Sequence, residues 1–161
     1  MKLVCFDTQV MIWGIKGEAT PGQEDMISKS QYLIKKCDDE KIQVLIPSIV
    51  VAELLSGTKP EKHKDIFQVI QKRFIVQPFD ARCSVQYAKI WQAKKRVSQE
   101  LKEEGATRAE IKADCMIIAT TVVNQAVCIY THDRPLRRLA QGFVDARDLP
   151  EIPPQVSQLS F

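Results

Sequence analysis

Lys2-Leu-Val-Cys-Phe-Asp-Thr8 opens the chain with a short apolar run that stops on an acid. From Leu3 to Phe6 the run is apolar at every position instead of every second one, the pattern of a strand covered on both faces and hence of a parallel sheet. Similar runs recur at Val44 to Ile46, Phe74 to Val76 and Val127 to Tyr130, with a fifth candidate at Phe143-Val144. Between them, Glu24 to Glu40, Ser48 to Ser56, Glu61 to Arg73, Ala81 to Glu104 and Arg108 to Gln125 read as helices. Gly57 and Gly105 follow helical ends, Pro47 and Pro60 stand at starts, and Thr107-Arg-Ala-Glu110 has the spacing of a capping box. Strands alternating with helices predict a three-layer α/β/α domain, with right-handed crossovers around a central parallel sheet of about five strands.

A chain of 161 residues supports one core. The expected domain covers residues 1–149, and the proline-rich stretch from Pro150 predicts an extended tail over 150–161. Basic residues exceed acidic ones by 23 to 20, a net charge of +3 that permits a polyanionic partner without requiring one. The first residues hold too short an apolar core for a signal peptide, and no apolar run is long enough to span a bilayer. A soluble cytoplasmic protein is the expectation. Five cysteines (Cys5, Cys37, Cys83, Cys115, Cys128) are odd in number and never two residues apart, so they read as small core hydrophobes, not as a redox or zinc motif.

Four carboxylates stand where apolar stretches end or are interrupted: Asp7, Glu53, Asp114 and Asp133. An ionised acid in such surroundings costs several kcal/mol unless it is paired, so four of them call for a shared cation. Asp7 and Asp133 follow predicted strands, placing both at the carboxyl edge of the sheet, where ligands gather in open α/β folds. Glu53 lies on the helix after the second strand, and Asp114 lies two turns into a helix whose next dozen residues are uncharged. If those helices start at the same edge, the four acids converge on an oxygen-rich site suited to Mg²⁺ or Mn²⁺.

Each acid also has a plainer reading. Asp7 and Asp133 could be helix N-caps, Glu53 could face solvent, and Asp114 could pair with Lys112 or Arg108. The joint placement favours the metal site. A phosphohydrolase built on His132-Asp133 would need further histidines, and the chain offers only His63; a phosphatase with an aspartate nucleophile would want a second Asp at position 9, which is Gln.

Val4-Cys-Phe-Asp-Thr8, Ile46-Pro-Ser-Ile-Val-Val-Ala-Glu-Leu-Leu-Ser-Gly57, Ala113-Asp-Cys-Met-Ile-Ile-Ala-Thr-Thr-Val122 and Ile129-Tyr-Thr-His-Asp133 together resemble the four acidic segments of PIN-domain ribonucleases, especially the VapC-like toxins of toxin–antitoxin pairs. The resemblance spans nearly the whole chain. It implies metal binding and catalysis by Asp7, Glu53, Asp114 and Asp133, and hydrolysis of RNA phosphodiester bonds without a covalent intermediate. It also implies an antitoxin that covers the site. Thr8 and Thr131 could hydrogen-bond a ligand carboxylate or water, or make only a local backbone bond. The chain departs from the family at Gln9, where Asn or Ser is frequent, and in its length beyond Asp148.

Arg134, Arg137 and Arg138 follow Asp133 at spacings that let at least two share a helix face, where they could hold RNA phosphates. Trp13 and Trp91 read as core or interface anchors instead of base-stacking platforms. Val10, Met11, Ile12, Trp13 and Ile15, with Tyr32, Leu33 and Ile34, offer more apolar surface than one sheet face needs. Together with the resemblance this predicts a homodimer. The reading from another functional class is a catalytically silent PIN domain that binds RNA or serves assembly.

Overall fold

The computed structural model describes residues 2–154. Strands β1 (Leu3–Phe6), β2 (Gln43–Pro47), β3 (Ile75–Gln77), β4 (Ile129–Tyr130) and β5 (Ala146–Arg147) form one sheet in the order β3-β2-β1-β4-β5. Every neighbouring pair is parallel. Eight α-helices surround it: α1 (Thr8–Met11), α2 (Asp25–Asp39), α3 (Ser48–Ser56), α4 (Pro60–Arg73), α5 (Ala81–Ala93), α6 (Lys95–Glu103), α7 (Arg108–Val123) and α8 (Arg134–Ala140). The three-layer α/β/α domain expected from the alternation of runs is the one that forms. Val4, Cys5 and Phe6 of β1 and Val44, Leu45 and Ile46 of β2 are buried, as strands covered on both faces must be.

Chain order explains where the site lies. The chain builds β1, β2 and β3 outward in one direction, then returns to place β4 on the other side of β1. The crossovers therefore diverge between β1 and β4, and the crevice at their carboxyl ends is the switch point of the sheet.

Two elements differ from expectation. The fifth strand is Ala146–Arg147, not Phe143-Val144. Phe143 and Val144 instead donate backbone N–H groups to the Ala140 carbonyl in the turn that closes α8, where Gly142 takes a φ of 87°. The helix predicted over Ala81 to Glu104 breaks at Lys94 into α5 and α6, with Ile90 of the first and Leu101 of the second both buried. No Pro or Gly marks that break. After α1 the backbone widens into a π-helical turn over Ile12–Lys16, ended by Gly17 in the left-handed conformation at φ 65°.

Val10, Met11, Trp13, Leu33 and Ile34 are buried within the single chain, while Ile12, Ile15 and Tyr32 are half-buried. Most of the apolar surface credited to a dimer thus completes the monomer core. Among the described residues no helix is long and apolar enough to cross a membrane. At the end of the domain Glu151 pairs with Lys29 of α2 at 2.9 Å. The rest of the expected tail, residues 155–161, lies outside the described residues.

Candidate active site

Asp7 terminates β1, and its N–H donates to the Tyr130 carbonyl of β4, which seats it on the switch point. Its side chain is 4% exposed. Oδ1 accepts from the Thr8 N–H at 2.7 Å and Oδ2 accepts from the Thr131 hydroxyl at 2.8 Å. The same Thr131 Oγ1 accepts from the Asp133 N–H at 3.0 Å, so one buried hydroxyl ties the two strand-end acids together. Thr8 Oγ1 donates to Glu53 Oε1 at 2.8 Å and fixes the exposed acid of α3 to the start of α1. Both threonines therefore touch ligand candidates, not only local backbone.

Asp114 is half-buried on α7 and, among the described residues, its side chain makes no hydrogen bond or ion pair; neither Lys112 nor Arg108 pairs with it. Arg108 lies over the Trp91 ring instead, at 5.5 Å. The N-cap readings of Asp7 and Asp133 also hold, since Asp7 caps α1 and Asp133 Oδ1 accepts from Leu136 N–H at 3.4 Å to cap α8. Capping uses only part of each carboxylate.

All four acids line one cavity of about 500 Å³. Burial, with smaller contributions from the charges of Asp133 and Glu53, pushes the Asp7 carboxyl up to about 6 against the hydrogen bonds from Thr131 and Thr8. Burial also pushes Asp114 up to about 9, with Asp133, Asp7 and Glu53 adding repulsion. Asp133 is raised by burial and by Glu110. Acids buried side by side in this way form a site with an unmet demand for positive charge. Oxygen donors of this kind suit a hard divalent cation. Among the described residues, no group of three or more His, Cys, Asp or Glu side chains stands close enough together to hold a metal ion.

Two further acids line the cavity, Glu104 and Glu110. Glu110 completes the capping box with Thr107, which is the only role the sequence reading gave it. Its position four residues before Asp114, one turn away on the same face of α7, was the available signal.

The three arginines on α8 separate. Arg137 donates to the Thr131 carbonyl at 3.1 Å and to Asp148 at 2.5 Å. Arg138 reaches Glu100 and Glu104 of the α6 end. Arg134 lines the cavity with a largely exposed side chain. Trp13 is buried edge-on against His132, and Trp91 stacks on Tyr87, consistent with packing roles. All five cysteines are buried and unpaired, and burial raises the thiols of Cys5, Cys37, Cys115 and Cys128, which makes them inert core residues.

A family model described as PIN domain matches residues 4–142, which include all four acids. The chain belongs to the PIN domain family. This PIN domain is also similar in fold to a chain of VapBC2 from Rickettsia felis bound to a DNA fragment from their promoter. That match has a TM-score of 0.62 and 16% identity, over 92% of this chain and 99% of that one. DNA-bound VapBC from Salmonella typhimurium matches with a TM-score of 0.66 and 17% identity, over 93% of this PIN domain and 100% of the other chain. VapBC-1 from nontypeable Haemophilus influenzae matches with a TM-score of 0.60 and 17% identity over 91% and 98%. Among curated protein sequences none matches.

Proposed function

We propose that this PIN domain is a metal-dependent endoribonuclease of the cytoplasm, using Mg²⁺ or Mn²⁺ held by Asp7, Glu53, Asp114 and Asp133. The observation that carries the reading is that carboxylates from four separate segments line one cavity, where burial first and the neighbouring acids second hold protons on Asp7 and Asp114. A bound divalent ion would polarise the phosphodiester, lower the pKa of attacking water and stabilise the leaving oxygen. Asp7, fixed by Thr131 and Thr8, supplies the rigid part of the ligand set, and Glu53, exposed and steered by Thr8, the adjustable part. Asp114, free of other partners, is available in full once its proton leaves.

Fold similarity to chains of VapBC complexes supports a toxin role, with an antitoxin protein as partner. A homodimer is retained as a second proposed assembly, though on the smaller surface left by Ile12, Ile15 and Tyr32. Light scattering tests it: a mass staying near 18.3 kDa on concentrating excludes the dimer. A catalytically silent PIN domain that binds RNA or serves assembly is the competing reading, since fold alone does not fix activity. Incubating the pure protein with RNA, with EDTA, Mg²⁺ or Mn²⁺, decides between them. Cleavage that needs the metal supports the nuclease, and binding without cleavage supports the module. Growth arrest on expression, relieved by a co-expressed neighbouring gene product, tests the toxin role.

A further inference from the structure

Six acids and one cation line the cavity at the switch point, and the cation is Arg134. We infer that Arg134 alone among the α8 arginines holds a substrate phosphate at the mouth of that cavity, while Arg137 and Arg138 brace the fold; the inference rests on the nuclease reading above. An RNA phosphate approaching clustered carboxylates meets like charge, so a donor at the rim has both a steering and a holding role.

The three side chains differ in what they already satisfy. Arg137 is committed between the Thr131 carbonyl and Asp148, which ties α8 to the end of β4 and to the segment after β5. Arg138 is committed to Glu100 and Glu104, which ties α8 to α6, and its side chain is only 26% exposed. Extracting Arg137 would leave Asp148 with His132 alone at 3.6 Å, and extracting Arg138 would leave Glu100 to Arg96 at 3.3 Å and Glu104 to Arg134 at 3.8 Å, each a longer contact than the one lost.

Arg134 has no such commitment. Its side chain is 75% exposed, and among the described residues its only partner is Glu104 at 3.8 Å, beyond hydrogen-bonding distance. Glu104 already has Arg138 at 3.3 Å, so Arg134 can leave it without stranding a charge. The planar fork of Arg134 therefore keeps its donors for a bidentate contact with phosphate. Its position is fixed by its neighbours in sequence: Asp133 caps α8 and Pro135 stiffens the first turn, and both line the same cavity.

Steady-state cleavage of a fluorogenic single-stranded RNA in Mn²⁺ across a salt series, with Tm measured in parallel, tests the division. R134Q is expected to raise KM about tenfold or more, the loss of one charge-assisted contact, with unchanged Tm. The slope of log kcat/KM against log salt should shrink by about 0.7, one phosphate contact on a single strand. R134K should restore the slope but not all of the affinity, because it keeps the charge and loses the fork. R137Q and R138Q should lower Tm and leave the slope alone; if either fails to fold, the comparison of R134Q with R134K decides. Wild-type KM and slope in R134Q overturn the inference, as does an equal loss of slope in R137Q or R138Q without a change in Tm. A wild-type protein that cleaves no RNA in either metal overturns the nuclease reading itself, and is told apart because it fails before any variant is made.

Discussion

Thr131 Oγ1 and Asp7 Oδ2 meet at 2.8 Å across 124 residues of chain, with both side chains buried. The bond joins the ends of β4 and β1 and holds the least exposed acid of the cavity in one orientation. Thr131→Val keeps the shape and removes the donor, leaving a buried carboxylate one partner short. It should cost about 1–3 kcal/mol of stability at pH 8, measured by urea denaturation in EDTA, and weaken Mn²⁺ binding. Thr131→Ser should restore most of both. Wild-type stability in the valine variant would mean that Asp7 is held by Thr8 alone.

Asp114 makes the metal-free protein sensitive to base. Its folded carboxyl is raised to about 9, whereas an unfolded aspartate releases its proton near 4. Between those values the native state binds more protons than the unfolded state, so stability falls as pH rises. Asp7 acts with the same sign up to about 6. Asp114→Asn should therefore raise Tm in EDTA by an amount that grows from pH 6 to pH 9, while abolishing RNA cleavage. A Tm difference that is flat with pH would separate Asp114 from the repulsive cluster.

The same protons compete with the cation. Below about pH 6 both Asp7 and Asp114 tend to stay protonated, and a divalent ion has to displace those protons to bind. Saturating Mn²⁺ or Mg²⁺ should raise Tm more at pH 8 than at pH 6 and release protons into a weakly buffered solution. An increase in Tm that is independent of pH would place the ion elsewhere on the protein.

How much of this could be read from the chain depends on the range of the interactions involved. Runs such as Val44-Leu-Ile46 and the capping box Thr107–Glu110 carry local signals, and the first four strands, most helices and the parallel sheet followed from them. The four acids stood out because polar groups at the ends of apolar runs need a reason to be there. What escaped was non-local. The break at Lys94 has no Pro or Gly to mark it, and Ile90 and Leu101 on either side of it both reach the core. The division among the arginines depends on Glu100 and Glu104, more than thirty residues earlier in the chain. The edge strand β5 is two residues long and is defined by pairing with Ile129 and Tyr130, with little apolar pattern of its own.

Gly14 gives the last expectation, on the packing that supports the start of the site. It lies in the π-helical turn after α1, against α2: a Cβ built there would stand 2.6 Å from Ile34 Cδ1 and 3.4 Å from Ser30 Cβ. Ile34 is 4% exposed and has little room to turn away. Gly14→Ala should thus destabilise by about 1–3 kcal/mol through overpacking, despite alanine's better helix propensity. Ile34→Val removes the clashing Cδ1 at a cost of about 0.5–1.5 kcal/mol on its own. The double variant should be more stable than the sum of the two losses predicts, because each change supplies what the other lacks. Chemical denaturation of all four proteins measures the coupling, and strict additivity would show that the close approach of this turn to α2 is relieved by backbone movement instead.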